Sequence, residues 1–451
     1  MSAHAALQPS RARDAARLQR GVVQGVLWLV VVGNAVAIVW IWLHGGGVGH
    51  VHTTGDLLTS IGRLTGLLGA YLALIQVLLL ARIPALERAV GFDRLGVWHR
   101  WNGHATLDLI LAHVVFIVWG YALLDKLPLG KEISAMLGGG IYPGMITATV
   151  GTALLIAVVV SSVVIVKRRL RYETWYAVHL AAYAGIALGW FHQIPTGNEL
   201  VLDRVAADWW RSLYVATIAL VVWYRLLLPL ANALRFRLRV AAVVPEGPGV
   251  VSLHITGRGL DRLQARAGQF FVWRFLARGR WWTAHPFSLS AAPDGRSLRI
   301  TVKALGDHTA RLARIHPGTP VVAEGPFGVF TSAARRRDKT LLIAGGIGIT
   351  PIRALLDELD GDVRVLYRVV DEEEAIFRDE LDGRVRIVAG DHATEEGSRL
   401  LSPEHLLELV PDIPERDVFV CGPPAMAQTI ARNVRNAGVP RRHVHTERFA
   451  L

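Results

Sequence analysis

The stretch Trp98–Tyr121, WHRWNGHATLDLILAHVVFIVWGY, sets the fold class. It is long and apolar enough to cross a bilayer, yet it holds His99, His104 and His113, and polar groups inside a membrane need a reason to be there. His99 and His113 are 14 residues apart, which on one helix is about 21 Å along the axis and about 40° around it. A second apolar stretch, Trp175–His192, holds His179 and His192, 13 residues apart and about 20 Å along the axis. Two helices that each offer an imidazole at two depths can clamp two haems, one above the other, by axial ligation. The spacing of 13 turns His192 about 140° from His179, so a local distortion at Gly185 or Gly189 is expected. His104 lies about 140° round the helix from His99. With Asp108 following it at i+4, it is expected to make an interhelical hydrogen bond instead of binding a metal.

The bulk numbers agree with a membrane protein. The chain has 451 residues, 52% of them hydrophobic, with a positive mean hydropathy, enough for two or three domains. A net charge of +12 would suggest nucleic acid in a soluble protein. Here the basic residues gather in short connections between apolar spans, so they set membrane orientation and no nucleic-acid partner is expected. The single Cys421 excludes an intrachain disulfide framework and a thiolate cluster. The first apolar segment exceeds a signal-peptide core and lacks a clear cleavage site, so it is expected to be retained.

A basic tail (1–20) precedes a six-helix transmembrane bundle (21–231), with apolar spans near 22–43, 57–81, 97–124, 144–166, 174–192 and 212–231. Arg82, Arg88, Arg94, the loop KRRLR (Lys167–Arg171) and Arg225 mark alternate connections as cytoplasmic, which puts the N-terminus and everything after span six inside the cell. Spans three and five then run in the same direction. His99 pairs with His179 near the cytoplasm, and His113 with His192 near the outer face. Arg63 lies about 10 Å into span two, where an anionic partner is expected. An outer-haem propionate and the headgroups reached by snorkelling are the two candidates.

From 232 to 332 the runs LRFRLRVAAVV, GVVSLHIT, GQFFVWRF and SLRITVKA, separated by Gly/Pro turns, predict a small antiparallel β-barrel. KALGDHTARL (Lys303–Leu312) is a glycine turn opening a helix, a place where backbone N–H groups can hold a pyrophosphate. From 338 to 451 the pattern is a doubly wound α/β domain. KTLLIAG leads into GGIGITP and a helix at 352–359, and the strands VRVLYRV, RVRIVAG and RDVFVCG follow, with helices at 372–380, 403–410 and 424–437. The glycine turn suits a dinucleotide pyrophosphate. Arg368 stands at the end of the second strand, with Arg378 nearby and no acidic residue there, which favours the 2′-phosphate of NADPH over NADH.

Taken together, the histidine spacings of 14 and 13, HPFS, GDHT, GPFG, GGIGITP, CGPPAM and the closing ERF resemble the ferric reductase and NADPH oxidase superfamily in a compact bacterial form, with a ferredoxin–NADP reductase-like second half. The resemblance implies haem ligation by His99, His113, His179 and His192, two b-type haems in all. It implies that Ser288 lies near the reactive flavin nitrogen, with His285, Pro286 and Phe287 lining FAD. His285 stands where soluble reductases usually carry Arg, so Lys303 and the backbone of Gly306–Thr309 are the candidates for offsetting the FAD phosphates. Gly345, Gly346, Gly348, Thr350 and Pro351 would meet NADPH, Cys421 and Gly422 would border the nicotinamide, Glu447 would assist, and Phe449 would cover the flavin. The implied activity is transfer of electrons from cytoplasmic NADPH through FAD and haem to an extracytoplasmic acceptor, either a ferric chelate or O2. A haem-binding electron-carrier subunit without its own NADPH turnover is the third reading. The expected surroundings are membrane lipid; the sequence names no protein partner.

Overall fold

Each of the six expected spans overlaps a helix in the computed structural model, which describes residues 8–138, 142–163, 172–277, 283–381, 383–391 and 393–448. In chain order the helices are α1 (Gln8–His44), α2 (Thr54–Leu79), α3 (Pro84–Val90), α4 (Phe92–Leu124), α5 (Leu129–Gly138) and α6 (Met145–Ser162). Then come α7 (Tyr172–Thr196), α8 (Asn198–Leu202) and α9 (Arg204–Val222), the last continuing through a π-helical turn at Trp223–Leu227 into Leu228–Phe236. Among the described residues five stretches are long and apolar enough to cross a membrane: Gly21–His44, Thr54–Leu79, Arg94–Leu124, Met145–Ser162 and Arg204–Phe236. The helix of the fifth expected span, α7, has the length, but Thr174, His179, His192 and Gln193 dilute its apolar run. The loop Lys167–Arg171 and Phe449 lie outside the described residues.

The chain divides into two compact units at Arg225/Leu226. Within the helical unit, α2 begins with a capping box, in which Thr53 Oγ1 accepts from the Asp56 amide and the Asp56 carboxylate accepts from the Thr53 amide. α2 then packs tightly along α4 because small residues line the seam. A Cβ on Gly62 would meet Ile117, and one on Gly120 would lie 2.6 Å from Thr59 Cγ2.

In the second unit, β1 (Arg239–Gly247), β2 (Val250–Thr256), β3 (Phe270–Phe275), β4 (His285–Ser288), β5 (Ser297–Lys303) and β6 (Val321–Phe327) are antiparallel. The expected antiparallel strands form two three-stranded sheets, β1-β2-β5 and β4-β3-β6, with isolated bridges at Arg239–Pro320 and Leu289–Ile300. Leu253, Ile255, Phe271, Trp273, Leu289 and Ile300 fill the space between them. The strands β7 (Lys339–Gly345), β8 (Asp362–Val369), β9 (Val385–Ala389), β10 (Asp417–Gly422) and β11 (Val444–Arg448) form a parallel sheet in the order β11-β10-β7-β8-β9. Strand order therefore reverses between β7 and β10, the place where open α/β sheets bind ligands.

One expectation changes here. The helix expected at 372–380 is a single 3-10 turn, Glu372–Glu374, followed by irregular chain in which Phe377 has φ 62°. The run of acidic residues predicts helical propensity, but the segment's contacts with the neighbouring antiparallel sheets decide its path. Glu447 and Arg448 lie in β11, a strand that local pattern does not announce, because its hydrogen bonds come from β10, more than twenty residues upstream in the chain.

Candidate functional site

In the helical unit the four histidines meet as two pairs. The His99 and His179 ring centroids lie 6.0 Å apart, and those of His113 and His192 lie 6.2 Å apart. A metal held between two imidazoles sets their centroids roughly 6 Å apart, from two metal–nitrogen bonds of about 2 Å plus about 1 Å from each nitrogen to its ring centre. Each α4 histidine is oriented by α2. His99 Nδ1 lies 3.1 Å from the Gln76 carbonyl oxygen and His113 Nδ1 lies 2.8 Å from that of Gly62. A carbonyl only accepts, so each Nδ1 carries the proton and each neutral ring keeps its Nε2 lone pair for a metal. His179 Nδ1 sits 3.3 Å from Ser162 Oγ, to which Trp175 Nε1 also donates. These features fit bis-histidine haem sites.

Both pairs form with α7 helical throughout, so the distortion expected at Gly185 or Gly189 does not occur. Gly185 instead lets α6 approach, since a Cβ there would lie 3.0 Å from the Gly151 carbonyl oxygen. His104 also departs from expectation. It and Asp108 are exposed on the outer surface of α4, facing away from the neighbouring helices, so His104 makes no interhelical bond among the described residues.

A cavity of about 500 Å³, lined mainly by apolar side chains, adjoins His113 and His192. Gly66 is part of its wall, and a Cβ at this position would lie 2.5 Å from His113 Nδ1. Arg63 also lines the cavity. Its anionic partner comes from the protein itself, because Glu199 Oε1 on α8 stands 3.2 Å from Arg63 Nη1 and the Glu199 side chain is buried. Sequence reasoning missed Glu199. A lone acid in a short polar connection carries no signal until α8 folds back beside α2. Gln193, also missed, accepts from Trp210 Nε1 and the Tyr214 hydroxyl and so fixes the cavity's far wall.

In the second unit, β3 holds the HPFS segment. Trp273 is fully buried, and its Nε1 donates to the Phe287 carbonyl at 3.0 Å, while Ser288 pairs in register with Phe270. His285 stacks on Phe287, and Pro286 is exposed. Ser288 is 4% exposed, and its Oγ has no hydrogen-bond partner among the described residues. A buried unpaired hydroxyl costs about 1–3 kcal/mol, so this one fits a polar atom supplied by a bound cofactor. Cys421, fully buried, lies beside Glu447 in register. The Glu447 carboxylate reaches the GPFG turn, where a Cβ on Gly328 would stand 3.8 Å from its Oε1.

The glycines of the nucleotide half divide their work. A Cβ on Gly348 would lie 2.3 Å from the Cys421 carbonyl oxygen, and one on Gly422 would lie 3.2 Å from Gly345 Cα. These three therefore let the ends of β7 and β10 close on one another. Gly346 has φ +51° and open space around it, the arrangement needed for backbone to face a phosphate. Thr350 and Pro351 are buried in the first turn of the following helix, Ile349–Glu358, and Thr350 Oγ1 donates to the Ile347 carbonyl.

Several expected phosphate contacts already have partners in the protein. Lys303 Nζ pairs with Glu374 at 3.3 Å. Thr309 Oγ1 accepts from the amides of Leu305 and Gly306 at 2.9 and 3.1 Å, so those two N–H groups serve the turn. Arg368 does stand at the end of β8, where its Nη1 donates to the carbonyls of Val369 and Val388. Burial lowers its pKa. Arg378 donates to the carbonyls of Ala375 and Glu372.

Comparison with known proteins matches these parts. Residues 65–190 match the family described as ferric reductase like transmembrane component, a range that holds His99, His113 and His179 and ends two residues before His192. Residues 235–331 match the FAD-binding domain, and residues 342–432 the oxidoreductase NAD-binding domain. The chain is a ferric reductase-like membrane domain fused to an FAD- and NAD-binding reductase module. This fused reductase is 29% identical over 238 residues to ferredoxin–NADP reductase B of Sorangium cellulosum, covering 48% of the chain and 97% of that protein. It is 29% identical over 220 residues to NADH oxidoreductase HCR of Escherichia coli, covering 47% and 67%. Among solved structures it is similar to the FAD/NAD-binding domain of the Vibrio cholerae nitric oxide dioxygenase, at 24% identity and a TM-score of 0.41, covering 48% of the chain and 99% of that domain. The fused reductase is thus a multi-pass membrane oxidoreductase that uses FAD and NAD(P)H.

Proposed function

We propose that this fused reductase moves electrons from cytoplasmic NADPH across the membrane to a ferric chelate. When bound, FAD takes the electron pair of the nicotinamide and two b-type haems pass the electrons on singly, which is the chemistry the two units would house. The observation that carries the proposal is the pairing of four histidines at two depths, with Nδ1 of His99 and His113 committed to backbone carbonyls so that Nε2 is left to ligate. His99 and His179 would hold the inner haem, and His113 and His192 the outer one. This arrangement is a six-helix bundle whose N-terminus and reductase module face the cytoplasm, and the basic connections support that orientation.

Ser288 would present its hydroxyl to the reactive edge of the flavin, while Cys421, Gly422 and Glu447 would border the nicotinamide. Gly346 would face the pyrophosphate, and Arg368 with Arg378 the 2′-phosphate. Arg63, held by Glu199, would line the outer cavity as half of an ion pair. Reduction of O2 to superoxide is the second reading, because two histidines holding each haem would leave electron transfer open to either acceptor.

The test is His113→Leu in the purified protein. The expected result is loss of the outer haem, with about half of the reduced b-type absorbance remaining, one of two bis-histidine sites. An unchanged spectrum removes His113 from the ligand set.

A further inference from the structure

Glu380 lies in the irregular chain after β8, where an α-helix was expected. Its carboxylate takes both prongs of Arg299, with Nη1 to Oε1 at 2.7 Å and Nη2 to Oε2 at 2.8 Å. Arg299 belongs to β5 of the flavin half, its side chain is 11% exposed, and its Nη2 also donates to the Ser290 carbonyl at 2.7 Å. Ser290 is two residues beyond Ser288. On the other side, Glu380 Oε2 accepts from Arg353 Nε at 3.0 Å. Arg353 belongs to the helix Ile349–Glu358 that opens from the glycine turn, and it also pairs with Asp357. The same helix sends Asp357 to the Ala292 amide at 3.1 Å and Glu358 to the Ala267 amide at 2.8 Å. Arg299 also lies 4.9 Å over the Phe377 ring, and Lys303 reaches Glu374 in the same segment.

We infer that Glu380 is a positioning residue for hydride transfer, a clamp that fixes the glycine-turn helix of the nucleotide half against the strand segment carrying Ser288. The inference rests on the NAD(P)H–flavin reductase chemistry and is independent of the haem reading. A two-pronged carboxylate–guanidinium contact sets angle as well as distance, and this one joins the element that holds the nucleotide's phosphates to the element beside the flavin edge. Hydride transfer is steep in that relation, since a misplacement of about 1 Å can cost about a hundredfold in rate. The irregular path at Phe377 follows from the same contact, because a helix over 372–380 would carry Glu380 along a different course from the one that meets Arg299.

The test uses the full-length protein with FAD bound and compares wild type with Glu380→Ala, Glu380→Gln and Arg299→Lys. Flavin reduction by saturating NADPH is followed by stopped flow with protonated and deuterated nucleotide, and amide hydrogen exchange of residues 371–381 is followed separately. In Glu380→Ala hydride transfer is expected to slow about ten- to a hundredfold, with a larger isotope effect, a KM that moves far less, unchanged FAD content and faster exchange in 371–381. Glu380→Gln, which keeps the shape, recovers part of the rate. Arg299→Lys, which keeps the charge and loses the second prong, slows transfer as well. Rates within about twofold of wild type in both Glu380→Ala and Arg299→Lys, a change of under about 0.5 kcal/mol in the barrier, overturn the inference. Unchanged exchange in 371–381 does so too, by showing that the clamp restrains nothing. A wild-type chain whose flavin NAD(P)H does not reduce would count against the reductase chemistry, and the exchange measurement would still judge the clamp.

Discussion

Gly66 shows how little room the His113 ring leaves at the candidate site. A single added carbon would lie 2.5 Å from His113 Nδ1, so either the ring or the helix must move. With haem held as proposed, Gly66→Ala is therefore expected to lose the haem of the His113/His192 pair while keeping that of His99/His179. The check is pyridine hemochrome stoichiometry on purified protein, which should fall by about half, one of two sites. Arg368 poses a different question at the same scale, since its Nη1 is committed to two carbonyls at the strand end. If its remaining donors serve the 2′-phosphate, Arg368→Ala raises KM for NADPH far more than for NADH, and steady-state kinetics with both nucleotides measure the split. Equal effects would make Arg368 a strand-end tie alone.

Individual elements succeed here by lending backbone to one another. α2 supplies the carbonyls of Gln76 and Gly62 that orient two histidines of α4. In the nucleotide half, Arg416 is fully buried and pins the entry ends of three strands, bonding Asp362, Asp412 and the Thr340 carbonyl. Hydrogen bonds from Arg416 and then Lys339 outweigh burial and hold the Asp412 carboxyl at about 2, below its ordinary 3.8. A folded-state pKa below the unfolded one contributes stability that is present above pH 3.8 and is lost as pH falls towards 2. Thermal unfolding of the full-length protein should therefore show the nucleotide half melting at progressively lower temperature across that window. In Asp412→Asn this step should be smaller.

At the scale of the whole molecule, the acceptor separates the reductase reading from the oxidase reading. NADPH oxidation by purified protein is expected to run faster with a ferric chelate than with air alone, and to be insensitive to superoxide dismutase. Dismutase-sensitive reduction of a dye in air would favour the oxidase reading. The class of the molecule was legible from its chain because its strongest signals are local and periodic: several apolar spans, two pairs of histidines at spacings of 14 and 13, and glycine turns between strand and helix. Sequence alone therefore determined a membrane domain followed by a flavin and nucleotide module, and the candidate metal ligands within it. Tertiary structure decided what spacing cannot express. It turned His104 outward, matched Arg63 with Glu199 across 136 positions of chain, replaced an expected helix at 372–380 with a strap carrying Glu380, and set β11 beside β10. The physical reason is that helix and turn preferences act over a few residues, whereas burying a charge or closing a sheet depends on partners that only the folded chain brings within hydrogen-bond reach.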